Sequence, residues 1–347
     1  MSHSHDLTPP VSEKFDPKHA GALSKNLLLA GAVGILLSLI GLAVPQWREQ
    51  FAFSWLFAFF YFFSICIGCL FWTCLHHATD SEWSVVVRRQ LENVASLIPY
   101  FAIFFIPILL CLTYLFKWWA KDVGVDPLLD AKRGFLNHSF FLIRAASYFF
   151  ILGLVSLWLK RRSISQDHDG AVRHSLTMRN LGVAGIPAVA LGITFSGIDW
   201  LMGLDYLWFS TMWGVYLFAG AAGSSMSLLV LIVTALKRRG YLNVVTSEHY
   251  HAMGKYMLAF TIFWAYIGYS QYMLIWYANI PEETIYFRIR NTNSWWYLST
   301  FLVVGRFFLP FPVLLMQASK KASKYLSTIA FWVLGMQLLD IYVIVLP

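Results

Sequence analysis

The sequence predicts an all-α protein, a polytopic transmembrane helix bundle with about nine spans. Hydrophobic residues make up 58% of the chain and charged residues only 13%, whereas an ordinary soluble domain has roughly 45–50% and about 25%. Apolar runs of about 20 residues, the length that a helix needs to cross a bilayer core, recur along nearly the whole chain. These two observations indicate an integral membrane protein with little room for a soluble domain.

The chain is predicted to consist of a cytoplasmic tail, residues 1–23, and a transmembrane domain, residues 24–347. The tail has no short apolar core followed by a small-residue cleavage site, which a secretory signal peptide would need. We therefore expect a retained, disordered tail. Its histidines, His3, His5 and His19, lack the usual spacing of metal ligands, so the sequence indicates no metal site there.

Nine apolar runs give the predicted spans, numbered 1 to 9 in chain order. Their approximate bounds are residues 24–44, 51–75, 94–116, 139–159, 180–199, 207–236, 254–279, 296–317 and 325–347. Of the 26 lysines and arginines, 17 lie in the tail or in the connections that follow spans 2, 4, 6 and 8, and only 7 in the other connections. Because positive charge stays on the cytoplasmic side, the N-terminus is predicted to be cytoplasmic. We call this side of the bundle the basic side and the opposite one the outer side.

The connection between spans 2 and 3, CLHHATDSEWSVVVRRQLEN at residues 74–93, is rich in polar groups. A zinc site built from His76, His77 and Asp80 would need a fourth ligand and a fixed geometry, so a polar interfacial turn is the favoured interpretation. The stretch from Asp80 onward is predicted to form a short amphipathic helix. Its Trp83 would then face lipid and its two arginines anionic headgroups or a partner.

No redox cofactor is expected in this chain. The remaining histidines lie at span ends or in loops, whereas a haem b held between helices needs imidazoles well inside facing spans. The Cys66-x-x-Cys69 pair has neither a following histidine for haem attachment nor a second pair for zinc or an iron–sulfur cluster. Together with Cys74 and Cys111, these cysteines are predicted to be small buried hydrophobic residues.

Arg306 and Asp340 are the charged residues predicted deepest in the membrane. Arg306 lies about ten residues into span 8, roughly 15 Å at about 1.5 Å per residue, and Asp340 reaches a similar depth on span 9. Charges in the bilayer are costly and usually face a protein interior or a water-filled path, so an ion pair is predicted. Two roles stay open for it: a proton path, or a buried pair that only holds helices together.

Arg144, Asp199 and Asp205 form a second candidate cluster near the outer ends of spans 4 and 5. Arg144 either pairs inside the bundle or extends its side chain to the outer surface. Tyr269, in the polar run YSQYMLIWYANIPEETIYF at the outer end of span 7, would hold water for proton transfer or bind neighbouring helices. The interrupted connection FSGIDWLMGLDYLWFS between spans 5 and 6 leaves open a stand-alone secondary transporter.

Three motifs resemble one family of membrane proteins. They are WSVVVRR, GIDWLMGLDYLWFSTMWGVYLFAG and YSQYMLIWYANIPEETIYF. These stretches are similar to the NrfD/PsrC family of quinone-interacting subunits, and within it to the ActF subunits of bacterial alternative complex III. The resemblance implies two four-helix bundles with flanking helices, often ten spans in all, so we expect one further flanking helix beyond the end of this sequence.

The resemblance also implies a function. The chain would be a subunit of a quinol:electron-acceptor oxidoreductase in the bacterial cytoplasmic membrane, structural and with proton conduction as an open second role. Its partners would be an ActC-like sister subunit, an iron–sulfur subunit, multihaem c-type cytochromes and small membrane subunits. The iron–sulfur clusters and c-type haems would belong to those partners.

The resemblance bears on quinol binding as well. In the sister subunit a histidine late in span 3 and an aspartate early in span 4 form the quinol site. Cys111 and Ile143 stand near the matching places here, so the resemblance does not carry an independent quinol site to this chain. His138 is displaced from that pattern and is the candidate quinol contact if the chain is instead a quinol-binding anchor with its own site.

Overall fold

The computed structural model describes residues 21–121, 124 and 126–346, without the side chains of residues 22 and 23. Most of the predicted tail, including its three histidines, therefore lies outside the described residues. Throughout the described part of the chain the regular secondary structure is helical, with no β-strand, which confirms the predicted all-α class.

Nine helical segments within the described residues are long and apolar enough to cross a membrane. The chain is thus a multi-pass membrane protein, built from helices because a bilayer offers no hydrogen-bond partners to an open backbone. Spans 1 to 9 are Ser24–Ala43, Pro45–Ala78, Arg88–Leu110, His138–Asp169, Val172–Leu204, Trp213–Arg238, Ser247–Ala278, Asn293–Leu315 and Ser323–Val345. A ten-residue helix, Pro281–Arg290, lies between spans 7 and 8 on the outer side.

The spans pack into two four-helix bundles and a flanking helix, as predicted. Spans 2 to 5 form the first bundle, and spans 6 to 9 form the second. Spans 2, 5 and 6 make most of the contact between the two bundles. Span 1 packs against span 2 and otherwise exposes its apolar side chains, for example Leu28 and Leu36.

Small residues allow spans 2 and 6 to lie against each other at the centre of the molecule. A side-chain carbon added to Gly68 would lie 2.2 Å from the carbonyl oxygen of Ala221. Trp72 closes the same contact, since its indole Nε1 donates a hydrogen bond of 2.9 Å to the carbonyl of Ala222. Close backbone approach of this kind is a usual basis of helix association in lipid, where no hydrophobic effect favours one apolar surface over another.

A layer of aromatic rings fills the middle of the first bundle. Trp200 is fully buried, and the ring centroids of its four nearest phenylalanines lie 4.9–5.6 Å from its own. All four spans of the bundle contribute rings. The aromatic layer consists of Phe59, Phe63, Phe101, Phe105, Phe149 and Trp200.

Span 3 is interrupted rather than continuous. Its first helix, Arg88–Ala95, is followed by a 3-10 turn at Ile98–Tyr100 and then by helical pieces of four or five residues. Pro99 and Pro107 stand near two of these breaks. Proline interrupts a helix because it has no backbone N–H and its ring clashes with the preceding turn.

The segment before span 3 also differs from the sequence-based prediction. Asp80 has a left-handed backbone (φ +49°), and turns rather than a helix lead from there to Arg88. Trp83 does not face lipid. Its ring instead packs edge-on against His76 at 5.1 Å and stacks on Tyr256 of span 7 at 5.6 Å, so this segment is a packed turn between the bundles.

Candidate functional site

Arg306 and Asp340 form a buried ion pair inside the second bundle. The guanidinium Nη1 lies 2.9 Å from the Asp340 carboxylate, and the two residues are only 4% and 2% exposed. Arg306 lies in a π-helical turn, Val304–Phe308, which widens span 8 at this point. The indole of Trp332 stabilises that turn by donating a hydrogen bond of 2.7 Å to the carbonyl of Gly305. The ion pair predicted from the sequence is therefore present.

Asp340 accepts further hydrogen bonds from neighbouring spans. The Tyr216 hydroxyl of span 6 donates to it at 2.5 Å, and the Trp264 indole of span 7 donates at 3.0 Å. Arg306 is held as well, since it donates to the Gln337 side chain and lies 4.4 Å from the centroid of the Trp264 ring. The site joins all four spans of the second bundle through one carboxylate and one guanidinium.

Aromatic rings and one arginine cover the outer end of this site. Tyr286, on the short outer helix, stacks on Trp208 at 3.9 Å and meets Trp213 edge-on at 6.1 Å. Burial raises the pKa of Tyr286 to about 12; the Arg290 charge opposes this rise, and the charges of Asp340 and Asp205 add to it. The phenol of Tyr286 therefore stays neutral well above physiological pH.

Arg144 and Asp199 form the second predicted pair. Arg144 binds the carboxylate through two hydrogen bonds, Nε at 2.9 Å and Nη2 at 2.7 Å, so it pairs inside the protein rather than reaching to the outer surface. Its Nη1 donates to the carbonyl of Phe135 at 2.9 Å, and the hydroxyl of Tyr148 donates to Asp199 at 2.5 Å. Asp205 lies apart from this cluster, where it accepts a hydrogen bond from the backbone of Leu207.

The two buried arginines lie at different positions along their spans. Arg144 is six residues from the start of span 4 at His138, about 9 Å at 1.5 Å per residue, whereas Arg306 is 13 residues, about 20 Å, from the start of span 8 at Asn293. Both spans start on the outer side. Arg306 therefore lies near the middle of its span and Arg144 near the outer end of its own, whereas Asp340 and Asp199 each lie five residues before the outer ends of spans 9 and 5.

The remaining two candidates, Tyr269 and His138, lie away from both pairs. Tyr269 is 65% exposed on the surface of span 7. His138 is exposed at the outer start of span 4, where its ring stacks on Trp119 at 4.0 Å and its Nε2 lies 3.0 Å from the Trp119 carbonyl. Their predicted roles remain predictions.

On the basic side, His76 and His77 are buried rather than displayed at the surface. His77 lies 3.4 Å from the buried carboxylate of Glu92, which Arg88 and Arg89 also approach at 3.7 and 3.5 Å. Neither ring nitrogen of His76 has a hydrogen-bond partner in the described part of the chain. Among the described residues no group of three or more His, Cys, Asp or Glu is placed to bind a metal ion. The four cysteines are buried, as predicted, and none of them forms a disulfide.

Sequence reasoning missed several residues that complete the two pairs. Tyr148 lies four positions after Arg144, and Gln337 lies three positions before Asp340, so helical spacing places each beside one member of a pair, and each then contacts the other member, Asp199 and Arg306 respectively. That spacing was available as a signal in the sequence. Tyr216 and Trp264 reach Asp340 from other spans, and no local pattern marks them.

No family model matches the sequence, and no curated protein matches it at a significant level. The two buried ion pairs, the aromatic layer and the motifs quoted above are thus the basis for a functional proposal.

Proposed function

We propose that this chain is a membrane subunit of a quinol:electron-acceptor oxidoreductase of the alternative complex III type, in the bacterial cytoplasmic membrane. The resemblance of GIDWLMGLDYLWFSTMWGVYLFAG and YSQYMLIWYANIPEETIYF to the ActF subunits supports it. In this proposal an ActC-like sister subunit, an iron–sulfur subunit and multihaem cytochromes carry the redox chemistry. The present chain contributes a scaffold and a proton path.

The observation that carries the proton path is the Arg306–Asp340 pair, which is buried among the four spans of the second bundle. A charge within a membrane span is costly, and such residues commonly mark ion or proton pathways. Arg306 favours the ionised carboxylate, while the hydroxyl of Tyr216 and the amide of Gln337 extend the hydrogen-bonded group in two directions. Asp340 is therefore the proposed proton-binding group, with Arg306 setting its charge.

The first bundle is proposed to have a structural role. Its aromatic layer lies on the basic side of Arg144, since Phe149 is five residues further along the same inward-running span. The layer fills the bundle with rings, which offer no chain of hydroxyls or carboxylates for proton transfer. The Arg144–Asp199 pair accordingly serves here to fix spans 4 and 5 to each other.

Affinity purification through a tag fused to this chain tests the proposal. Capture from native membranes is expected to recover an assembly that oxidises quinol and shows a c-type haem spectrum, with the haem bound to other subunits. In sealed vesicles, Asp340→Asn and Arg306→Leu are expected to abolish proton translocation while quinol oxidation continues. Asp199→Asn is expected to retain translocation, because it alters only the outer pair.

Three outcomes contradict parts of this proposal. Recovery of the chain alone, with solute uptake by the purified protein, would favour a stand-alone transporter. Unchanged translocation in the Asp340 and Arg306 variants would reduce their pair to a helix contact. Loss of translocation in Asp199→Asn alone would move the path to the first bundle.

A further inference from the structure

Span 6 presents a line of small and hydroxyl-bearing residues to the interior of the second bundle. Gly220, Ser224, Ser227 and Thr234 are separated by four, three and seven positions, so they lie on one face of the helix. The outer end of this face touches the ion pair, because a side-chain carbon added to Gly220 would lie 2.8 Å from Gln337 Oε1 and 3.1 Å from Arg306 Nη2. The three hydroxyl residues are all buried.

Span 7 runs antiparallel to span 6 and presents a matching face. Trp264 contacts the ion pair, and Tyr250, 14 positions earlier, contacts Thr234, which is 14 positions from Gly220. The interval from Gly220 to Thr234 on span 6 thus equals the interval from Trp264 to Tyr250 on span 7. Residues between these contacts therefore lie at corresponding depths on the two spans. Thr261, one turn from Trp264 and buried, therefore lies at about the depth of Ser224.

Three hydroxyl groups from three spans meet at the basic end of these faces. The oxygen atoms of Thr234 and Tyr250 are 3.2 Å apart, and Ser327 of span 9 donates to Thr234 at 3.0 Å. A hydroxyl both donates and accepts hydrogen bonds, so such a group can pass a proton while its own protonation is restored. We call these three residues the hydroxyl cluster.

A short apolar step separates the hydroxyl cluster from the hydroxyls near the ion pair. Ser227 and Thr234 are seven residues apart, about 10 Å along the helix axis. Two fully buried methionines of span 7, Met253 and Met257, lie in the corresponding interval. Methionine is an adaptable apolar side chain, because it is unbranched and has three rotatable bonds.

We infer that the faces of spans 6 and 7 form the basic-side half of a proton path, from the hydroxyl cluster through the methionine step to Ser224, Thr261 and then Asp340. This inference rests on the proposed function and adds a route of entry to it. A proton enters at the cluster and passes along water and hydroxyls, each of which releases one proton as it accepts another. Only the protonation of Asp340 changes.

Thr234→Val and Thr261→Val test this route, because valine keeps the shape of threonine and removes its hydroxyl. Both variants are expected to lose proton translocation in vesicles that contain the tag-captured assembly, while quinol oxidation continues. Thr73→Val is the matched control: Thr73 of span 2 is buried like the other two and donates to the carbonyl four residues earlier at 2.8 Å, as Thr261 does. It is expected to translocate protons normally, and Thr234→Ser is expected to restore what Thr234→Val loses.

The results separate the route from the proposed function. If both valine variants translocate protons while Asp340→Asn does not, the path reaches Asp340 by another way and the inference is wrong. If Asp340→Asn also translocates, or if no quinol-oxidising assembly is captured, the proposed function and this route are both wrong. A loss shared by Thr73→Val, or one that Thr234→Ser fails to restore, would reduce the effect to packing and overturn the inference.

Discussion

At the scale of single residues, the two buried aspartates differ in what they connect. Asp340 accepts hydrogen bonds from Tyr216, Trp264 and Arg306, which lie on three other spans. Asp199 accepts its side-chain hydrogen bonds from Arg144 and Tyr148, which lie on a single span. A carboxylate that accepts hydrogen bonds from three neighbouring helices can respond to movement in any of them. A carboxylate that accepts them from one helix only holds two helices together.

The Arg144–Asp199 pair leads to a prediction about stability. Asp199→Leu alone leaves a buried guanidinium without its partner, which is expected to cost about 3–5 kcal/mol, whereas Arg144→Met combined with Asp199→Leu is expected to cost much less. Thermal unfolding of the detergent-solubilised protein, followed by circular dichroism, measures both. If the double variant were as unstable as the sum of the single ones, the pair would not be coupled.

An exposed ion pair provides the control for that comparison. Lys321 and Glu248 are only 2.6 Å apart, but their side chains are 36% and 65% exposed. Glu248→Gln is therefore expected to cost almost no stability. A larger loss of stability would show that the exposed and the buried ion pairs of this protein do not differ in their contribution to folding.

At the scale of helices, hydropathy predicts where the spans lie but not how they are shaped or paired. Span 3 is a single apolar run in sequence, yet two prolines and a turn break it into short pieces. Span 8 contains a π-helical turn that no hydropathy pattern marks, and this turn carries Arg306. Small residues, rather than apolar content, determine the partners, as the contact between Gly68 and Ala221 illustrates.

That contact gives a prediction at the helix scale. Gly68→Ala is expected to lower the yield of folded protein sharply, because the added carbon would meet a backbone oxygen at 2.2 Å that cannot move aside. Gly34→Ala on span 1 is the matched control, since nothing lies within 4 Å of its added carbon. Size-exclusion profiles after detergent extraction report the folded fraction, and equal profiles would contradict the proposed packing role of Gly68.

At the scale of the whole molecule, positive charge is concentrated on one side. The basic side includes Lys237, Arg238 and Arg239 at the end of span 6, and Lys320 and Lys321 after span 8. Such an excess fixes the orientation of a membrane protein during insertion. Burial lowers the pKa of Lys320, whose ammonium donates to the carbonyl of Leu314 at 2.7 Å and so caps the end of span 8.

The charge distribution predicts which side each connection faces. Arg239→Cys and Glu282→Cys place a thiol in exposed positions at opposite ends of the bundle, and the natural cysteines within the described residues are buried. A membrane-impermeant thiol reagent is expected to label Arg239→Cys only in inside-out vesicles and Glu282→Cys only in right-side-out ones. The reverse pattern would place the N-terminus outside the cytoplasm.

The sequence by itself determined the class of this protein, because hydrophobic spans of about 20 residues leave a helix bundle in lipid as the physical solution. It also indicated Arg306, Asp340, Arg144 and Asp199, since charges in apolar runs are rare and costly. Tertiary structure confirmed the predicted Arg306–Asp340 pair, and it alone decided that Arg144 binds Asp199 rather than reaching the surface and that Tyr216 and Trp264 bind Asp340. The reason is that these contacts join residues far apart in sequence, and only the packing of small residues between helices brings them together.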